Sequence, residues 1–214
     1  MSKVTAPLLS FDASGQIADT LVYASWKGRP YARKYVIPSN PNSAGQQLTR
    51  NTFKFLSKLF QYMPTAALGA WDLYATNSRF TAVNGFMKQN VGPLRDETDL
   101  LLAVLSPSAG GGIIATDMTL TPASTQITVD LTAPTLPTGW TIDAGWAMAV
   151  RNVDPQTSEI YDVATGSDAA TPFSIVLTGL TDTEEYVVGG WFEYTRDNGK
   201  KAYGLALSDT ATPA

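Results

Sequence analysis

The spacing of apolar positions changes twice along the chain. From Gln16 to Trp26 the run QIADTLVYASW is rich in β-branched and aromatic residues, and RPYARKYVI resumes that character after Lys27-Gly28. This predicts a β-hairpin with Gly28 in its turn, because glycine supplies the positive φ that tight connections need. Pro30 has no N–H to give a ladder, so it belongs at the first residue or the outer edge of its strand. Past Asn40-Pro41 the period becomes helical. Leu48, Thr52, Phe55, Leu56, Leu59 and Met63 fall at i, i+4, i+7, i+8 spacing and predict a helix over about Ala44–Tyr62 with those residues as its buried stripe. Ser43 and Gln46 have the S-x-x-Q spacing of a capping box at its start. Pro64 ends it, and Thr65 is placed to cap a second helix in which Leu68, Trp71 and Ala75 share a side, to about Ala75 or Thr76. A third short helical piece is expected within Asn77–Asn90, with Phe80, Val83 and Met87 inward.

The second change is to a period of two. MTLTP, TQITVDLTA, WAMAVRNV, SEIYDVAT, FSIVLTGL, YVVGGWFEYT and KAYGLALS are seven short strand-like runs separated by Pro, Gly, Asp and Asn turn signals. Ile127, Val129 and Leu131, and likewise Phe173, Ile175 and Leu177, alternate with polar residues, as strands with one buried face do. Between the two regimes, Ser106-Pro107-Ser108-Ala109-Gly110-Gly111-Gly112 has the composition of a flexible linker. The expected organisation is an α+β unit over 1–105, built of a β-hairpin plus two or three helices, a Gly/Ser/Pro linker over 106–112, and an all-β sandwich over 113–214.

Composition narrows the chemistry. The chain has no cysteine and no histidine, which removes disulfides, thiolate metal sites, cysteine nucleophiles, imidazole bases and every Ser-His or Cys-His arrangement. Catalysis would have to rest on carboxylates, lysine or tyrosine, and a carboxylate hydrolase is the least favoured of the functions considered. A net charge of −4 conceals a gradient: residues 1–60 carry eight cations against two carboxylates, and residues 113–214 carry four against thirteen. Such asymmetry marks an interaction end and a solvated end. The first residues lack the continuous apolar run of a signal peptide, and no eighteen-residue apolar stretch occurs, so a soluble protein with neither export signal nor membrane span is expected.

The candidate site follows from that gradient. Trp26, Lys27, Arg29, Tyr31, Arg33, Lys34 and Tyr35 interleave rings and cations in the hairpin. They read either as a solvated hairpin whose aromatics cover the helices or as a protein docking surface, since Trp, Tyr and Arg are the residues that anchor interfaces. Nucleic-acid binding by stacking and phosphate contact is a weaker reading without a recognised module. Arg50, Lys54 and Lys58 recur every fourth residue on the non-apolar side of the first helix and either extend that surface or are an ordinary solvated face. Asp162, Asp168, Asp182 and Glu184-Glu185 show no D-x-D-x-D-G loop, and Gly110-Gly111-Gly112 is followed by no Gly-Lys-Ser/Thr, so neither calcium nor phosphate binding is signalled; no catalytic, cofactor or metal residue is assigned and no cofactor is expected. Of Trp140, Trp146 and Trp191, the first lies in a turn and is the one expected to be partly exposed, a candidate for a sugar-binding platform, while burial is expected of the other two.

Two resemblances bear on function. In GLTDTEEYVV, Leu180 and Tyr186 have the spacing of the Leu-to-Tyr corner of fibronectin type III and immunoglobulin-like modules, which implies an Ig-like sandwich in which the tyrosine hydroxyl bonds back to an upstream backbone group. The stretch ASGQIADTLVYASWKGRPYARKYVIPSNPNSAGQQLTR, with SG-x-I, W-K-G-R, P-x-NP-x-S and Q-x-x-R in order, and more loosely GAWDLYA and NGFMKQN, resembles uncharacterised proteins encoded in tailed-phage genomes and related domains of unknown function in bacterial genomes, over residues 10 to about 95. That resemblance implies a virion protein made in the host cytoplasm and carries no catalytic residues. The expectation is therefore a non-enzymatic capsid decoration or accessory coat subunit, docked through its basic N-terminal unit on other virion proteins, as a homo-oligomer or in a many-copy lattice, without membrane or nucleic acid. The alternatives are a host-glycan adhesion module of a tail or fibre, or a neck or collar component.

Overall fold

The computed structural model describes residues 15–17, 20–27, 29–37, 39–40, 42–76, 80–160 and 162–214. The chain divides after Asn42, into a unit spanning 1–42 and a unit spanning 43–214.

In the first unit, β1 (Gly15–Ile17), β2 (Leu21–Trp26) and β3 (Arg29–Lys34) form an antiparallel sheet in the order β1-β2-β3. The β2–β3 register pairs Trp26 with Arg29, Ala24 with Tyr31 and Val22 with Arg33. Two residues are left for the connection, as the sequence predicts. Lys27 takes φ 50° there, and the expectation about Gly28 lies outside the described residues. Pro30 sits in β3, an edge of this sheet, where its missing N–H removes nothing from the β1–β2 ladder.

The second unit begins with three helices. α1 (Ala44–Tyr62) has the expected bounds, and Thr52, Phe55, Leu56 and Leu59 are its buried residues. Leu48 stays 39% exposed, so the apolar stripe starts one turn later than its spacing implies. The capping box does not form: Ser43 is the N-cap, but its side chain makes no capping bond, and the first turn closes through the Gln47 N–H donating to the Ser43 carbonyl at 3.0 Å. α2 (Thr65–Ala75) is preceded by Pro64 at the N-cap, which places Thr65 inside the helix and not in the capping role. α3 (Ala82–Asp96) starts after Thr81, whose hydroxyl accepts from the Asn84 N–H, and runs past the expected end near Asn90. Its inward row is Phe86, Met87, Asn90 and Leu94, and Val83 is 40% exposed, a correction to the inward row read from the sequence.

Eight strands follow, all antiparallel: β4 (Asp117–Ala123), β5 (Gln126–Thr132), β6 (Thr141–Arg151), β7 (Val163–Asp168), β8 (Phe173–Thr178), β9 (Tyr186–Thr195), β10 (Lys201–Tyr203) and β11 (Leu207–Ala211). They make a sandwich of a β4-β5-β8 sheet and a β10-β9-β6-β7 sheet, with β11 also on β9. The seventh run of the sequence, KAYGLALS, is thus two short strands. Gly204 lies between them, where a Cβ would meet the Ile113 carbonyl at 2.4 Å.

The α+β and sandwich parts are present, but the division between them is not at 106–112. In β6, Ala147 and Ala149 face the β4-β5-β8 sheet, while Met148 and Val150 face the helices. In β9, Val188 and Phe192 face one way and Val187 and Trp191 the other. Phe55, Leu56, Leu59, Trp71, Phe86 and Leu94 therefore share one core with the outer face of the larger sheet, giving three layers, helices on sheet on sheet. A sheet buried on both faces reads as continuous apolar sequence, and YVVGGWF and WAMAV are such runs. The 106–112 segment is correspondingly part of the body. Ser106 is buried, and its hydroxyl donates to the Gly204 carbonyl at 3.1 Å. Ala109 exchanges two backbone bonds with Tyr203, at 3.0 and 2.9 Å. A Cβ on Gly112 would lie 2.0 Å from the Tyr203 carbonyl oxygen, so glycine is required by close backbone approach and not by flexibility.

Candidate docking surface

Antiparallel partners project to the same side of a sheet and successive residues to opposite sides. The β2–β3 register therefore places Trp26, Arg29, Tyr31 and Arg33 on one face, and the parity continues to Tyr35, whose N–H donates to the Thr20 carbonyl at 2.8 Å. Lys34 belongs to the opposite face, paired with Leu21. Trp26 is 67% exposed, and the Lys27 ammonium sits 5.1 Å from its ring centroid, a cation–π contact at the turn. Arg29, Arg33 and Lys34 are exposed, and Tyr31 and Tyr35 are half-buried. Val36 and Ile37, just beyond, are 67% and 76% exposed. Among the residues of 1–42 whose burial is described, none is buried.

The ten candidate docking residues do not fall in one unit. Arg50, Lys54 and Lys58 belong to α1 in the second unit and all three are exposed. Lys54 is engaged there. Its ammonium donates to Glu159 at 2.5 Å, and that bond, reinforced by the charges of Lys54 and Lys58, holds the Glu159 carboxyl below the ordinary range. Asn51 also donates to the Gln156 carbonyl at 2.8 Å, so this side of α1 anchors the loop before β7. A cleft of about 200 Å³ lies between Lys54, Lys58 and Tyr62 of α1 and residues 158–160. It is smaller than the pockets that enclose small organic ligands.

The acidic candidates are structural. Asp162 accepts from the Thr181 and Tyr186 hydroxyls at 2.6 and 2.5 Å. Burial pushes its pKa up, but these bonds and the Arg151 charge outweigh that and leave the carboxyl below its usual value. Burial and the same contact raise the Tyr186 phenol. The Tyr186 oxygen also accepts from the Thr181 N–H at 2.9 Å, and Leu180 is buried beside it. This is the hydroxyl-to-backbone corner that the Leu180 and Tyr186 spacing implies. Asp168 accepts from the Ala170 and Ser174 N–H groups, which lower its pKa, and Asp182 from Thr125 and Ser124. Glu184 pairs with Arg151, and Glu185 accepts from Asn152. Among the described residues no three His, Cys, Asp or Glu side chains gather as a metal site, and no helix is long and apolar enough to cross a membrane.

The sequence reading missed one cluster. Lys201 bonds both Asp143 and Glu193 at 2.9 Å, Trp146 donates to Glu193 at 3.1 Å and Thr195 to Asp143 at 2.7 Å. The two carboxylates hold the Lys201 ammonium above its ordinary pKa and tie β10 to β6 and β9. No local motif announces it, because its members are brought together only by strand pairing. Trp191 is fully buried and Trp146 half-buried. Trp140 is half-buried, in keeping with the partial exposure expected of it, and meets Tyr194 edge-on with centroids 6.1 Å apart.

No protein-family model matches the chain, and no curated protein does. Among solved structures it is similar to a computationally redesigned β-sandwich protein, at 22% identity over 47% of this chain and 89% of the other, TM-score 0.34. A structure described as that of a myokine is similar at 15% identity over 48% of this chain and 98% of the other, TM-score 0.34. Astrotactin-2, a perforin-like membrane protein of neuronal development, is similar at 12% identity over 66% of this chain and 31% of its own, TM-score 0.34.

Proposed function

We propose that the protein is a non-enzymatic structural subunit that docks on a larger assembly through its N-terminal sheet. The observation that carries this reading is the absence of buried residues among the described part of 1–42, on a sheet whose one face carries Trp26, Arg29, Tyr31 and Arg33. A three-stranded sheet needs an apolar face covered by something to be stable, and Trp, Tyr and Arg are the residues that lose most on truncation at interfaces. In the body, by contrast, Asp162, Asp168, Asp182 and Lys201 are engaged in corners, turns and ion pairs. The resemblance of residues 10 to about 95 to uncharacterised proteins of tailed-phage genomes supports a virion as the assembly, and the role of a capsid decoration or accessory coat subunit fits a basic N-terminal sheet joined to an acidic body. A neck or collar component would use the same arm in fewer copies. The glycan-adhesion reading rests on Trp140 alone, a half-buried ring.

The test is incorporation into purified particles. Lys27→Glu with Arg29→Glu is expected to lower occupancy severalfold while the thermal unfolding of the body stays at the wild-type midpoint, and unchanged occupancy would overturn the reading. Quantitative mass spectrometry on the same particles assigns the location: hundreds of copies mean shell or tail tube, about a dozen mean neck.

A further inference from the structure

The β4-β5-β8 sheet has one face to the core and one to solvent. Its inward residues, Ile127, Val129, Leu131, Phe173, Ile175 and Leu177, are buried, and its three strands contain no lysine or arginine. Outward stand Asp117 and Asp130, both exposed, amid threonines and with Val176 48% exposed. Asp117 pairs with Thr132, and Asp130 is two positions along that partner strand, so the two carboxylates are diagonal neighbours on one face, about 7–8 Å apart at Cα. Neither makes a hydrogen bond or ion pair among the described residues, unlike Asp143, Asp162, Asp168 and Asp182, which all do. Two like charges on one strand face repel each other, and an arriving guanidinium relieves that repulsion.

The chain itself carries such cations. Arg29 and Arg33 project from one face of β3 with Tyr31 between them and Trp26 beside, exposed and without a partner among the described residues. Residues 1–42 carry five cations against two carboxylates, and residues 43–214 ten against seventeen. We infer that the partner of the Arg29–Arg33 face is a second copy of this chain, received on its Asp117–Asp130 face, with Val176 as the apolar contact for a ring. The inference rests on the docking reading above and names its occupant. The contact joins two different surfaces, so it is head-to-tail and propagates into rings or open arrays. A six-residue strand spans about 20 Å and three strands about 14 Å, so the two faces meet over about 280 Å² each, below the area of a standard specific interface. Each joint is therefore weak and salt-sensitive, and repetition supplies the strength.

Sedimentation velocity of the full-length chain over a concentration series tests this. The expected result is a mass that rises with concentration at about 50 mM salt, with association weakened about tenfold or more at about 500 mM. Arg29→Glu with Arg33→Glu, and separately Asp117→Lys with Asp130→Lys, are each expected to leave a folded monomer, checked by circular dichroism. Mixing the two variants should restore association in alternating order, since the Arg face of one meets the Asp face of the other and the introduced Glu face meets the introduced Lys face. Should the lysine variant fail to fold, Asp117→Asn with Asp130→Asn is expected to weaken association at least threefold. A wild-type chain that stays monomeric at low salt, association that survives the Asp117 and Asp130 changes, or a mixture that remains monomeric overturns the inference. If the chain is monomeric yet Lys27→Glu with Arg29→Glu still lowers particle occupancy, docking stands and only the second copy falls as partner; if occupancy is unchanged as well, both fall.

Discussion

Residues 1–42 and 43–214 solve the problem of a β-sheet in opposite ways. The larger sheet of the body is dry on both sides, with Met148, Val150, Val187 and Trp191 under the helices and Ala147, Ala149, Val188 and Phe192 against the second sheet. The N-terminal sheet has no buried residue among those described. The body thus carries the apolar burial that stabilises a fold, while the N-terminal sheet leaves Trp26 and its cations exposed and its tyrosines half-buried. A region that withholds its anchoring side chains from its own core has them available for a partner.

The strongest challenge to this contrast is removal of a shared-core residue. Trp191→Ala is expected to cost about 3–5 kcal/mol of body stability in denaturant unfolding, with helical and strand signals lost in one transition. Two separated transitions would show that helices and sandwich are independent after all. Gly112→Ala comes next. Its added methyl meets the Tyr203 backbone, so a loss of about 1–3 kcal/mol is expected, whereas a true linker would tolerate it without change. Tyr186→Phe removes the bond from the Thr181 N–H and the one given to Asp162, for about 1–2 kcal/mol in the same assay. Asp162 adds a pH dependence. Its folded pKa is depressed, so its contribution is fully present above the unfolded value of about 3.9 and fades as pH falls through the lower folded one. Asp162→Asn should accordingly lower the melting temperature at pH 7 and flatten its fall below about pH 4, measured by calorimetry. The smallest effect is expected of Trp26→Ala, which should leave the melting of the body unmoved; a clear drop would show that the body draws stability from that ring.

Much of the architecture is legible in the sequence because it rests on period. α1 has its predicted bounds, the hairpin strands β2 and β3 pair as predicted, and strands appear within nearly all the alternating runs. The Leu180 and Tyr186 spacing is local chemistry and is fulfilled by the Thr181 bond. The division of the chain is not legible by composition, because glycine serves both flexible linkers and tight backbone crossings. Gly110 and Gly112 are of the second kind, against Lys201 and Tyr203. The overlooked signal was the unbroken apolar run of β9, which a sheet with one wet face does not need. The candidate surface was legible as residues but not as a face: only the register shows that Arg29, Tyr31 and Arg33 share a side and that Lys34 does not. Arg50, Lys54 and Lys58 belong to the other unit, and Lys54 holds a loop there.

The β6–β9 pairing carries one more consequence. Its odd and even positions feed different cores, so sliding one strand by a single residue would send alanines where a tryptophan's space is waiting and a tryptophan where only alanines fit. Misalignment is penalised twice, once in each layer. The irregularity between Ile142 and Ala144, near the open end of the ladder, is the one place along β6 where an added residue can be absorbed without that double penalty. Length variation among natural versions of this chain is expected to gather there and to spare Trp146 through Val150.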